Sequence, residues 1–223
     1  QADGLGANMP LFYAPVNRSR WLVPSNSSCV DGTCVTSSHG PPKKCGVDQH
    51  GGLHETFVYW INGAAPLACV LRRERPQFFR QVSEAVTRVL ELHKEPGAWL
   101  AAFDDQIPAR RDVWASFRLM TALTQFSDAA RSTTVAAAAH RAVGAYLSEL
   151  GVFVETGGGF AATSWAYMRW QEGATVCLWF ADHPYTTPSG RAAALTLART
   201  MAARYFDWSA FLTDPSAIDI ATS

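Results

Sequence analysis

An excess of charge of either sign is missing from this chain. Its 19 Lys and Arg balance 19 Asp and Glu, for a net charge of zero. No polybasic run occurs, the densest basic stretch being Arg72, Arg73 and Arg75. A protein that grips nucleic acid through the phosphate backbone shows a basic face, so no nucleic-acid partner is expected. No apolar stretch reaches the ~18 residues that a membrane-crossing helix needs, so no transmembrane segment is expected. Internal repeats and low-complexity tracts are absent too, which sets aside solenoids and linkers. Charged residues make up only 17% and hydrophobic residues 48%, the balance of a chain that folds. At 223 residues it can bury most of its apolar surface without staples, as one large domain or two small ones.

Asparagine is scarce, and its placement is informative. Of Asn8, Asn17, Asn26 and Asn62, two open glycosylation sequons: Asn17-Arg18-Ser19 and Asn26-Ser27-Ser28. The chain starts at Gln1 instead of Met, as a processed or excised polypeptide does. The two sequons together tilt the expectation toward a secretory history and an extracellular, cell-surface or virion location.

What the chain does have is a concentration of ligand-type side chains. Cys29, Cys34, His39, Cys45, His50 and His54 fall within a short turn-rich stretch, and Cys69 follows. Such a cluster is either a set of disulfides or a metal site. In the first reading Cys29 pairs with Cys34 around the Asp31-Gly32 turn, and Cys45 pairs with Cys69. Cys177 is then an odd, buried thiol. In the second, Cys29, Cys34, Cys45, His50 and His54 bind zinc, or His50 and His54 with Asp48 or Glu55 form a catalytic centre. No Cys-x2-Cys knuckle is present, and Gly51-Gly52 interrupts the helix that would set His50 and His54 on one metal. Disulfides are therefore expected, with no cofactor, and zinc on Cys45, His50 and His54 is the lesser alternative.

Periodicity places helices in the middle of the chain. Phe78, Phe79, Val82, Val86, Val89 and Leu90 make one helical face over 75–94, ended by Pro96-Gly97. Further helices are predicted over 98–104, 110–126, 132–150 and 189–208, the last with Ser189 as N-cap. The runs 56–61 and 67–72 flank Asn62-Gly63 and read as a β-hairpin. Residues 152–156 and the apolar run 174–181 read as strands, the latter buried. The predicted fold is thus α+β and helix-dominated. An irregular lobe, 1–72, ends in the hairpin, and a mainly helical core spans 73–223.

Other constellations are weak. Cys177 pairs with His140 or His183 on paper, but its neighbours Val176, Leu178 and Trp179 suit a buried structural thiol. Asp104-Asp105 sits where a turn starts. Gly157-Gly158-Gly159 lacks the spacing and the Lys of a phosphate loop. Trp165, Tyr167, Trp170 and Trp179 resemble a sugar-binding platform, or simply a core. The expectation is a secreted or ectodomain-type protein that recognises a protein partner or assembles with it. The alternative is a hydrolase centred on Cys45, Asp48, His50 and His54.

Overall fold

The computed structural model describes residues 53–92, 113–156 and 165–214. Among them all regular structure is helical: α1 (Leu53–Val70), α2 (Pro76–Leu92), α3 (Val113–Ala130), α4 (Thr133–Glu155), α5 (Trp165–Met168), α6 (Trp170–Asp182), α7 (Pro188–Arg204) and α8 (Trp208–Thr213). No strand occurs among the described residues, so the α+β expectation is corrected to all-α.

The hairpin over 56–72 is α1. Its buried residues Phe57, Val58, Ile61, Ala65, Ala68 and Cys69 recur at helical spacing. That period outweighs the β-branched and aromatic composition, because a helix buries this set on one side. Asn62-Gly63 is not a turn; the Asn62 side chain donates to the Arg118 carbonyl in α3 at 3.2 Å. Pro66 lies inside the helix and lacks the N–H that would bond four residues back. The run 174–181 is likewise helical. In α6, Gly173, Val176, Cys177 and Ala181 are buried while Thr175 and Leu178 are exposed, so a continuous apolar run hides a one-sided helix. Residues 152–155 extend α4 instead of starting a strand, with Leu150 and Val154 buried and Val152 exposed.

The cysteine staple fails on the same ground. Cys69 is a free, buried thiol within α1, so the Cys45–Cys69 bridge is not formed. Burial also pushes its pKa up, the mark of a thiol that serves as a small hydrophobe. Cys29, Cys34 and Cys45 lie outside the described residues.

Helix α3 is the axis of the molecule. It is buried on nearly every side, from Val113 to Ser127, and touches α1, α4, α5 and α6. Helix α2 leans on α1, with Phe79 stacked on Phe126 of α3 at 6.1 Å between ring centroids. Arg131 takes φ 55° and turns the chain into α4, where Ser132 caps the first turn. Helix α7 covers α6. Its cap is Thr187, whose hydroxyl accepts from the Gly190 N–H, with Pro188 in the first turn; this moves the expected cap from Ser189 by two residues. Indole and guanidinium donors close the far end. Trp170 donates to the Phe206 carbonyl (2.9 Å), Trp208 to Met168 (2.7 Å) and Arg204 to Val154 (2.9 Å), satisfying carbonyls at helix termini.

Several buried side-chain polar atoms have no hydrogen-bond partner among the described residues, one of them on α4. The Tyr146 hydroxyl in α4 is fully buried and has no hydrogen-bond partner among the described residues. An unpaired buried hydroxyl costs about 1–3 kcal/mol. Tyr146→Phe is therefore expected to raise stability by about 1 kcal/mol, read as a higher urea midpoint with an unchanged slope. A lower midpoint would show that the hydroxyl has a partner.

Candidate functional site

Two polar-aromatic clusters are set into the helical frame. The first joins α1, α3, α5 and α6. Trp114 and Arg118 stand one turn apart on α3, and Arg169 and Glu172 stand three residues apart at the start of α6, so each pair shares a face. Arg118 donates to Glu172 Oε1 at 2.7 Å, and Arg169 approaches the same oxygen at 4.0 Å. The Arg169 guanidinium also lies over two indoles, 4.9 Å from the Trp165 centroid and 5.2 Å from that of Trp114. Arg118 sits 5.8 Å over Tyr59, which meets Trp114 edge-on at 5.4 Å. Trp114 is almost fully buried, whereas Tyr59 is 49% and Trp165 60% exposed. The cluster is rooted in the core and opens to solvent on its aromatic rim.

Electrostatics at this cluster are finely opposed. Burial raises the Glu172 pKa, and the two arginines pull it back without cancelling the rise. The Trp114 indole N–H also opposes the rise, yet closes no ordinary hydrogen bond. Among the described residues, Trp114 Nε1, Arg118 Nε and Glu172 Oε2 are all buried and reach no partner at full hydrogen-bond geometry. A perturbed carboxylate with named charge partners marks a candidate functional site.

The second cluster joins α3, α4, α6 and the turn before α7. His140 stacks on Phe180 at 4.6 Å and on His183 at 4.7 Å. His183 in turn contacts Trp179 (4.7 Å) and Tyr185 (4.9 Å). Trp179 donates to Asp128 Oδ2 at 3.0 Å. His140 Nε2 lies 2.7 Å from the Thr186 hydroxyl, the geometry of a base on a nucleophile. The chemistry differs, however. The Thr186 hydroxyl donates to the Phe180 carbonyl, so it accepts from His140, and Nε2 carries the proton. The hydroxyl is committed to the fold and His140 is no base toward it.

Cys177 is not a nucleophile either. It is fully buried, and desolvation pushes its thiol up to about 12, so no thiolate forms near neutrality. Both histidines that the sequence offered it are spent on each other. The sugar-platform reading of Trp165, Tyr167, Trp170 and Trp179 also dissolves. Trp165 joins the first cluster, Trp179 the second, Tyr167 meets Tyr205 and Phe206, and Trp170 bonds the Phe206 carbonyl. Among the described residues no group of three or more His, Cys, Asp or Glu is placed to hold a metal. His54 falls in the first turn of α1. Asn17, Asn26, Asp48, His50, Asp104, Asp105 and the triple glycine at 157–159 lie outside the described residues, with the hydrolase and glycosylation expectations built on them.

Tyr59, Trp114, Arg118, Arg169 and Glu172 escaped the reading of the sequence as site residues. Their signal was present: Trp114 with Arg118 at i,i+4, and Arg169 with Glu172 at i,i+3. It is visible only once 165–182 is taken as helix. No family model, curated protein or solved structure matches this chain.

Proposed function

We propose that this chain is a binding protein that recognises a protein partner through the rim of the Tyr59–Trp114–Trp165 cluster. One observation carries the reading. Trp165, a large aromatic at 60% exposure, lies against the Arg169 guanidinium, which itself reaches Glu172. Tyr, Trp and Arg dominate the energetic centres of protein interfaces, and a side chain ordered in advance loses less entropy on binding. The surrounding chemistry favours recognition over catalysis. The cysteine of α6 is inert and the threonine of the second cluster is bonded to backbone, so neither is an activated nucleophile.

The test is differential capture from extract of the native host. Wild type, Trp165→Ala and Tyr59→Ala are compared with Leu212→Ala, an exposed apolar control on α8. Loss of a hot-spot aromatic costs at least ~2 kcal/mol, so recovery of a specific partner is expected to fall tenfold or more in the first two variants and not in the control. Circular dichroism and thermal midpoints verify folding. Equal recovery with all four proteins sinks the proposal.

A further inference from the structure

The second cluster has a property that recognition at the first does not use. His183 follows α6 directly, and its Nδ1 accepts the Tyr185 N–H at 3.3 Å. Only a neutral imidazole can accept there, since a proton on Nδ1 sets two donors face to face. His140 Nε2 holds Thr186, and Thr186 holds the last turn of α6 through the Phe180 carbonyl. The two rings are stacked 4.7 Å apart, so a charge on one opposes a charge on the other. The turn 183–187 is thus fastened by two histidines, of which His183 must be neutral to accept, whereas His140 donates from Nε2 in either state.

We propose that the His140–His183 stack makes the α6–α7 turn a proton-released latch, closed while His183 is neutral and opened when His183 is protonated. Charged groups face the stack from each neighbouring element. On α3, Asp128 favours protonated His183 but is already bonded to the Trp179 indole. On α4, Arg141 disfavours a charge on His140. On α6 and α7, Asp182 and Arg191 pair with each other at 3.0 Å across the turn, and Tyr185 closes the outer edge. That ion pair is exposed to solvent and contributes little to holding the turn. Desolvation is the largest influence on both rings and lowers both pKa values, His140 further through His183 and Arg141.

The sign follows. With folded pKa values below the ordinary 6.5, the latch contributes its full stability above that pH and loses it as pH falls through the folded values. Release is local. Ala194, Leu197 and Met201, buried on one face of α7, hold that helix to the core.

Nuclear magnetic resonance on the full chain tests the latch. Imidazole Cε1–H signals and the Tyr185 amide are followed from about pH 7.5 to about pH 5. Both histidines are expected to titrate below 6.5, with the Tyr185 amide moving in step with His183. In His183→Asn the side-chain carbonyl can still accept the Tyr185 N–H but does not titrate. There the amide is expected to stay level and the His140 midpoint to rise toward 6.5. If that variant fails to fold, the wild-type titration decides alone. A His183 midpoint at or above 6.5, or a Tyr185 amide that ignores His183, overturns the latch.

Discussion

Phe117→Ala is expected to destabilise the protein by about 3–5 kcal/mol, the range for removing a fully buried aromatic ring from a core. Phe117 has no exposure and lies on α3, which packs against α1, α4, α5 and α6. Its ring fills the approach between α3 and α6. A Cβ added at Gly173 would stand 2.7 Å from Phe117 Cε1 and 3.0 Å from Cδ1, closer than real contacts allow. The glycine is therefore the shape complement of the ring, and the pair sets how near the two helices come. Gly173→Ala alone is expected to cost about 1–3 kcal/mol by overpacking, offset by about 1 kcal/mol of helix propensity. In a Phe117→Leu background the same alanine has room, so its cost should shrink or reverse. Urea denaturation of the four proteins yields the coupling directly, expected at about 0.5–3 kcal/mol. Strict additivity would show that ring and glycine do not define the contact. Because Glu172 precedes Gly173 and Arg118 follows Phe117, loosening this contact also disturbs the Arg118–Glu172 pair. Core and candidate site share one seam.

Part of this architecture was legible because period and composition agree there. Helix α2 exposes charge on one face and buries Val82, Val86 and Val89 on the other, so period and composition agree. The errors fell where composition and period disagree. In α1 the residues are strand formers, but Phe57, Ile61, Ala65 and Ala68 recur every three or four positions. In α6 the run is apolar on both sides of the alternation test, and only burial separates Cys177 from Leu178. Both segments touch α3, and tertiary burial overrides local preference there. The first cluster shared this fate, since its partners come from α1, α3, α5 and α6, two of which were read as something else. The staple expectation failed for a related reason. Treating Cys69 as the end of a hairpin made it reachable, whereas on the inner face of a helix it is core.

Glu172→Ala is the second large effect. The carboxylate stands between Arg118 and Arg169, whose guanidinia are only partly exposed. Removing one member of a fully buried ion pair costs about 3–5 kcal/mol, because the partner charge is stranded. Here roughly a quarter of each side chain of the Arg118–Glu172 pair reaches water, so the expected loss is smaller, about 2 kcal/mol. Arg169 should also lose its hold over Trp165, so partner capture should weaken in the same variant. Glu172→Gln separates charge from shape. It keeps an acceptor for Arg118 and relieves the desolvation that raises the carboxyl pKa, so its expected loss is below about 1 kcal/mol. The pH dependence discriminates further. Burial, the largest cause, leaves the folded pKa above the ordinary 4.5 despite both arginines, so the folded state holds this proton more tightly than the unfolded chain. The contribution of this group is fully present below 4.5 and is lost as pH rises through the folded value. That is opposite in sign to the histidine latch, which weakens in acid. Stability curves of wild type minus Glu172→Gln should therefore rise toward acid, and those of wild type minus His183→Asn should fall. If the Glu172 difference falls toward acid instead, the arginines outweigh burial and the first cluster is a conventional ion pair. If it rises as expected, the carboxylate is kept where its charge is costly, between two cations and under an exposed tryptophan that it helps to hold in place.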